Sequence, residues 1–254
     1  MKEITFPLQV GLWGEGKEGK SYFAASFVKE FTGMIIEPVS IQQMPPKKGS
    51  PARYVIDQSP YGHSAYALKN LKIDYKTQYR HVKSWDEYNK AIDELSLMAM
   101  TSDKRVWLVI DDTDQWRRLY SYHLAFDING RTQVTKDEYM QAGGDLVTEM
   151  NRLKNMFNIV YVNQAKDEFV KEVATGRRVA AVYPSNAKFV YEIYGKLYRN
   201  FETKTRDFDI ELLTTADMFD PNLSMEIGKS SVATVKDVSP RKLLMAANVE
   251  EDLW

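Results

Sequence analysis

The order of apolar and polar positions predicts a strand, a glycine-rich loop and a helix at the start of the chain. Leu8 to Trp13 is a short apolar run typical of a buried strand, and it leads into a glycine-punctuated turn over residues 14–19. From Lys20, apolar residues recur at helical spacing until Gly33, where we expect the helix to end.

Two segments compete for the second strand, residues 34–37 and residues 53–57. Between them, the prolines, glycine and paired lysines of residues 41–52 are typical of an exposed loop. Further on, Ser84 with Glu87 forms a capping box that predicts a helix over about 85–100.

A continuous apolar run from Val106 to Ile110 predicts a central parallel strand. Residues 113–134 then read as a long loop or an irregular helix, and a capping box at Thr135 opens another helix. The run Ile159 to Val162 predicts the next strand, and the period near two over 189–213 predicts an antiparallel hairpin.

Strands alternating with helices predict an α/β fold, with a mainly parallel sheet, helices on both faces and the appended antiparallel hairpin. We expect residues 1–215 to form the core and residues 216–254 a C-terminal extension. With 44% hydrophobic and 12% aromatic residues the chain has enough apolar material for a sizeable core. No membrane-spanning run or secretory signal is evident, so we expect a cytoplasmic protein, in the host cytoplasm if the source is viral.

Composition also limits the available chemistry. Cysteine is absent, which excludes disulfides and thiolate metal sites, and the histidines at 63, 81 and 123 are too scattered to suggest a histidine-rich metal cage. The 34 basic against 35 acidic residues give a net charge of −1, which leaves only a local basic face for nucleic acid.

Residues 14–21, GEGKEGKS, match G-x-x-x-x-G-K-[ST] at every fixed position and lie between a predicted strand and a predicted helix. In such a P-loop the backbone N–H groups hold phosphates, the lysine reaches the β- and γ-phosphates, and the hydroxyl binds Mg²⁺. The motif predicts an ATP and Mg²⁺ site with nucleotide contacts from Gly14, Glu15, Gly16, Lys17, Glu18, Gly19, Lys20, Ser21 and Tyr22.

Carboxylates at strand ends are the candidates for the remaining chemistry. Asp111 follows the central apolar run and is the expected metal-side carboxylate, while Asp112 is a candidate for polarising water. Glu37 and Asp57 each end a possible second strand next to the P-loop strand, and either is a candidate for positioning the attacking water, with Glu37 slightly favoured. Gln164, after the strand at 159–162, is a candidate for sensing the γ-phosphate.

These segments together resemble the RecA-type P-loop ATPases, and more closely the small phage-type nucleotide-binding proteins with a RecA-like core, some of which are single-strand annealing recombinases. The likeness covers about residues 8–215. It implies a RecA-like, Mg²⁺-dependent ATP-hydrolysing enzyme that acts on single-stranded DNA in recombination, annealing or replication. It also implies metal coordination through Ser21 and Asp111, a homo-oligomer in the form of a ring or filament, and DNA-binding loops around 165–188.

The expected DNA contacts come from basic residues in and after those loops, Lys166, Arg177, Arg178 and Lys188. Because the P-loop strand begins by residue 8, we expect no oligomerisation segment before it, and a filament is the less expected assembly. A helicase loader or DNA-packaging motor, a small-molecule kinase and a non-catalytic nucleotide-gated binding protein stay open as alternatives.

The C-terminal segment 248–254 combines acids with Leu253 and Trp254. Three interpretations stay open: Trp254 packs back onto the domain, the acids compete with DNA for the basic loops, or the segment docks on a replication or recombination protein.

Overall fold

A computed structural model describes residues 8–44, 53–57, 59, 62–170, 173–181, 191–200, 207–214, 233–247 and 249. The strands, in chain order, are β1 (Gln9–Gly14), β2 (Gly33–Pro38), β3 (Ile41–Met44), β4 (Arg53–Ile56), β5 (Tyr79–Val82), β6 (Trp107–Asp111), β7 (Asn158–Val170), β8 (Val173–Ala181), β9 (Ile193–Asn200), β10 (Asp207–Thr214) and β11 (Ala233–Val235). The helices are α1 (Lys20–Glu30), α2 (Ala65–Leu71), α3 (Trp85–Met100), α4 (Thr113–His123), α5 (Lys136–Lys154) and α6 (Pro240–Ala246), with a π-helical turn at Leu124–Ile128 after α4.

The main sheet runs in the order β11-β10-β9-β1-β7-β6-β2-β5, and β8 pairs with β7 outside this path. The strands from β9 through β5 are parallel, whereas β8, β10 and β11 pair antiparallel with their neighbours. The predicted α/β fold, with a mainly parallel sheet, helices on both faces and an appended antiparallel hairpin, is confirmed.

Helices cover both faces because the parallel strands are apolar on both sides. On one face α1, α2 and α6 pack through residues such as Phe27, Leu68 and Leu243, and on the other α3, α4 and α5 pack through residues such as Leu95 and Leu146. Every residue of β1, β2 and β6 is buried, which holds the carboxyl ends of these strands at fixed positions.

The structure corrects several expectations about the irregular segments. The predicted exposed loop at 41–52 contains β3, which pairs with β4 in a separate two-stranded sheet. Neither candidate second strand lies next to the P-loop strand, because β7 and β6 lie between β1 and β2. For residues 113–134, where a long loop and an irregular helix were both open, the structure has the irregular helix over most of the segment, with α4 followed directly by the π-helical turn.

The expected loops around 165–188 are, in their described part, a β-hairpin. β7 continues past Val162 to Val170 and pairs with β8, with Lys166 opposite Val179. Lys188 and the side chain of Arg177 lie outside the described residues.

The division at residue 215 stays a prediction, although β11 joins the main sheet and α6 packs into its core. Of the C-terminal segment only Val249 is described, and it is buried. None of the helices in the described ranges has the length and apolar character needed to span a membrane.

Candidate nucleotide-binding site

The P-loop connects the carboxyl end of β1 to the first residue of α1, as its motif predicts. Gly19 caps α1 with a φ of 85°, a left-handed conformation that favours glycine. The Phe208 ring lies so close that a Cβ atom on residue 19 would come within 2.6 Å of it. Backbone conformation and packing therefore both require glycine at this position.

Lys20 is buried, and its ammonium is held at the mouth of the loop. Its Nζ donates hydrogen bonds to the carbonyl oxygens of Gly14 at 2.9 Å and Glu15 at 2.8 Å. Burial lowers the pKa of Lys20, an effect that Asp111 and Asp112 partly offset. A cation so placed at a helix N-terminus gives the loop a concentrated positive field.

Asp111 ends β6 and is almost completely buried, at 1% exposure. Among the described residues neither of its carboxylate oxygens has a hydrogen-bond partner of good geometry, although His63 Nε2 approaches Oδ1 to 3.5 Å. Burial raises the pKa of Asp111, but His63, Ser21 and Lys20 outweigh it and leave the pKa below its ordinary value. An anionic, buried and unsatisfied carboxylate beside Ser21 fits a divalent cation such as Mg²⁺.

Glu37 is the penultimate residue of β2, the strand adjacent to β6, and it is buried too. Its carboxylate accepts hydrogen bonds from the backbone N–H of Ser64 at 3.3 Å, from the Ser64 hydroxyl, and from the Tyr79 hydroxyl at 2.8 Å. The backbone at Gly62 passes so close that a Cβ there would lie 2.1 Å from the Glu37 carboxylate. The segment before α2 thus closes over this acid.

His63 joins the two acids. Its Nδ1 lies 2.7 Å from Glu37 Oε1, and its Nε2 faces Asp111 from the other side of the ring. The contacts with Asp111 and Glu37 raise the pKa of His63 despite partial burial, while water screens the half of the side chain that stays exposed. Sequence reasoning missed this role, because nothing in the spacing connects residue 63 with residues 37 and 111.

Asp112 and Gln164 form a second polar contact beside the loop. One oxygen of Asp112 accepts from the Gln115 backbone N–H at 2.9 Å and caps α4, and the other accepts from Gln164 Nε2 at 2.8 Å. Burial raises the pKa of Asp112. Asp112 thus joins the start of α4 to Gln164, and its role in polarising water stays a prediction.

Strand register brings Gln164 to the P-loop, because it lies opposite Gly14 in the β1–β7 pair. A cavity of about 430 Å³ opens there, within the size range of small-molecule sites. Its lining contains much of the predicted nucleotide-contact set together with residues from distant segments: Gly16, Lys17, Gly19, Lys20, Ser21, Tyr22, His63, Ala67, Gln164, Arg199 and Phe208.

Asp57 lies apart from this arrangement. It follows β4 of the two-stranded sheet, and its carboxylate accepts hydrogen bonds from the Ser59 backbone at 2.9 Å and the Ser59 hydroxyl at 2.6 Å. Its expected position beside the P-loop strand is therefore wrong.

The β7–β8 hairpin contacts the P-loop through Arg178. Its guanidinium lies 3.5 Å from Glu15 Oε2 and 3.1 Å from Asp167 Oδ1, and it donates to the Ala165 carbonyl. Lys166 is exposed on β7. The two described basic side chains of the predicted DNA-binding set therefore lie on an arm attached to the nucleotide loop.

No protein-family model matches the chain, and no curated protein matches it either. Solved structures with a similar fold include an ATPase domain (11% identity, TM-score 0.44, covering 90% of this chain and 80% of that one). A DnaB-like replicative helicase matches 90% of this chain at 12% identity, with a TM-score of 0.45. An ATPase of the type III secretion system of pathogenic bacteria matches 95% of this chain, also at 12% identity and a TM-score of 0.45. The chain spans 56% of the helicase and 61% of the secretion ATPase. Because these TM-scores are low, we take the fold class from the strand order of this chain.

Proposed function

We propose that the chain is a Mg²⁺-dependent ATPase that acts on single-stranded DNA in phage-type recombination, annealing or replication. One observation carries the ATPase part: Lys20 and Ser21 of the P-loop converge with Asp111, from a strand separated from β1 by β7. A phosphate-binding loop whose lysine and serine lie beside a buried strand-end carboxylate is the arrangement that P-loop hydrolysis of a nucleoside triphosphate uses.

The residues of the loop bind and orient the substrate. The backbone N–H groups of residues 14–21 hold the phosphates, and the Lys20 ammonium exchanges its carbonyl partners for β- and γ-phosphate oxygens. Ser21 and Asp111 would hold Mg²⁺. When bound, the ion neutralises charge that develops on the phosphate oxygens.

We assign the positioning of the attacking water to Glu37 rather than to Asp57 or Asp112. Glu37 is joined through His63 to the metal-side Asp111, whereas Asp57 belongs to the other sheet and Asp112 is oriented toward α4 and Gln164. Gln164 lines the cavity beside Gly14 and is proposed to sense the γ-phosphate. Its bond to Asp112 holds the amide in place.

A turnover assay with Lys20→Ala tests the ATPase. We expect turnover to fall at least about 100-fold, because the variant removes the main cation from the loop, while thermal unfolding stays near wild type. Arg241→Ala, on α6 outside the cavity, is a matched control for loss of a positive charge. Wild-type turnover by the Lys20 variant would overturn the P-loop assignment.

Single-stranded DNA is the proposed partner because the hairpin places exposed basic residues on an arm that contacts the nucleotide loop. Fluorescence anisotropy should show affinity that falls with salt. The logarithm of the DNA-binding constant should fall linearly with the logarithm of the salt concentration. Charge removal at Lys166, Arg177 and Arg178 should make this slope shallower by about one unit for each DNA phosphate that the variant no longer neutralises. No binding at low salt, with or without ATP, would favour the small-molecule kinase, which is recognised by substrate-dependent phosphoryl transfer.

Assembly into a homo-oligomer, ring or filament, is part of the same proposal. A mass measurement with and without nucleotide tests it, and a nucleotide-dependent ring whose ATPase activity is not stimulated by DNA would favour a helicase loader or packaging motor.

Deletion of residues 248–254 tests the C-terminal segment, because loss of competition with DNA would tighten DNA binding most at low salt.

A further inference from the structure

The strand order gives the nucleotide cavity two chemically different sides. β1 lies between β7 and β9. The acids Asp111 and Glu37 end strands on the β7 side, so the reacting phosphate of a bound nucleotide faces that direction. The rest of the nucleotide then extends toward the β9 side.

On the β9 side the wall of the cavity is aromatic and cationic. Tyr22 follows the P-loop serine and is only partly buried, and its ring centroid lies 5.9 Å from that of Phe208 on β10. Phe208 is 4% exposed and packs on Gly19 and Phe23. Phe208 therefore supports the wall from behind, whereas Tyr22 faces the cavity.

Arg199 of β9 completes this wall, paired in register with Phe208 across the hairpin. Its backbone N–H donates a 2.6 Å hydrogen bond to Glu18 Oε2 of the P-loop. The loop thus fixes the position of the end of β9, where Arg199 lines the cavity. A planar guanidinium and a phenol ring are the groups that stack on a flat aromatic ligand.

We propose that Tyr22 and Arg199 form a nucleobase subsite, supported by Phe208, that holds the base of the nucleoside triphosphate while the P-loop holds its phosphates. The subsite rests on the proposed function, since it takes the P-loop as the phosphate site. It makes the β9–β10 hairpin a part of the nucleotide site in addition to its role at the sheet edge.

Two probes separate the base from the phosphates in a calorimetric titration: Mg²⁺ with a non-hydrolysable ATP analogue, and Mg²⁺ with inorganic tripolyphosphate, which has no base. We expect wild type to bind both, and the analogue more tightly. Tyr22→Ala and Arg199→Ala should each weaken binding of the analogue at least about fivefold, as loss of a stacking partner does, and leave tripolyphosphate binding within about twofold of wild type.

Lys20→Ala should weaken the binding of both probes. Arg241→Ala should leave the binding of both unchanged, since Arg241 lies outside the cavity. Retained tripolyphosphate binding also shows that a variant has kept its loop folded. Equal losses for both probes, or an unchanged affinity for the analogue, would overturn the subsite and leave the ATPase proposal standing. Failure of wild type to bind either probe would overturn the proposed function itself.

Discussion

Glu37 and Asp111 are two buried acids at the ends of adjacent strands, and their surroundings differ sharply. Glu37 accepts hydrogen bonds from Ser64 and Tyr79 and pairs with His63 at 2.7 Å. Asp111 lacks any hydrogen-bond partner of good geometry among the described residues, and the His63 ring stays 3.5 Å from its Oδ1. The first acid is satisfied by the protein, whereas the second is available to a ligand.

The difference indicates that the two acids have separate roles, which depend on how many hydrogen-bond donors surround each carboxylate. None of the described residues makes a hydrogen bond of good geometry to either oxygen of Asp111, which leaves both oxygens open to a divalent cation, so Asp111 suits the metal. A carboxylate held by several donors has a fixed orientation, which suits Glu37 for directing a water molecule. The following predictions test this contrast, from the largest expected effect to the smallest.

The largest effect is expected for Asp111→Ala. Loss of the metal-side carboxylate should reduce Mg²⁺-dependent turnover by about 100- to 1000-fold, and the Mg²⁺ concentration for half-maximal activity should rise. A titration of turnover against Mg²⁺ measures both. An unchanged Mg²⁺ requirement would show that Asp111 is outside the metal shell.

Glu37→Gln should lower kcat by about 100-fold and leave the Mg²⁺ requirement near wild type, because the amide keeps the shape of the side chain but cannot act as a base. Steady-state kinetics at several Mg²⁺ concentrations distinguish the outcomes. If the Mg²⁺ requirement rises as in the Asp111 variant, the two acids share one role and the contrast is wrong.

His63→Ala removes the side chain that joins the acids. The nucleotide-free protein should unfold at a lower temperature, since two buried carboxylates lose a cationic neighbour, and Mg²⁺ with nucleotide should restore more stability than in wild type. Thermal unfolding with and without these ligands measures the effect. A ligand-induced shift equal to that of wild type would show that His63 does not occupy the metal side of the site.

Asp112→Asn should have the smallest effect, with turnover within a few-fold of wild type and stability within a few tenths of a kcal/mol, because asparagine caps helices about as well as aspartate. Turnover and thermal unfolding are the measurements. A loss of turnover as large as that of Asp111→Ala would place Asp112 in the chemistry and restore the role predicted for it.

The sequence was sufficient for the parts of the site that are local. The P-loop is one contiguous motif, and Asp111 directly follows a continuous apolar run, so spacing alone located both. The choice between Glu37 and Asp57 required the strand order, because strands 34–37 and 53–57 look alike until one joins the parallel sheet and the other a separate pair.

The remaining elements depend on contacts distant in sequence. His63 meets Glu37 and Asp111 only because the chain before α2 folds back over β2, and no local pattern encodes that return. The resemblance implies loops around 165–188, whereas the described part of that range is the β7–β8 hairpin, in which polar residues such as Lys166 and Asp167 follow Gln164. A strand pair with exposed side chains lacks the apolar alternation that would identify it.

β7 belongs to two environments at once. Its first half is hydrogen-bonded to β1 on one side and β6 on the other, and beyond Gln164 it pairs with β8. At ~3.3 Å per residue, the stretch from Gln164 to Val170 extends ~20 Å, so a tilt of ~10° at Gln164 displaces its far end by ~3.5 Å. Gln164 pairs with both Gly14 of β1 and Ala181 of β8, so a change of strand direction at this residue beside the P-loop would move the far end of the hairpin most.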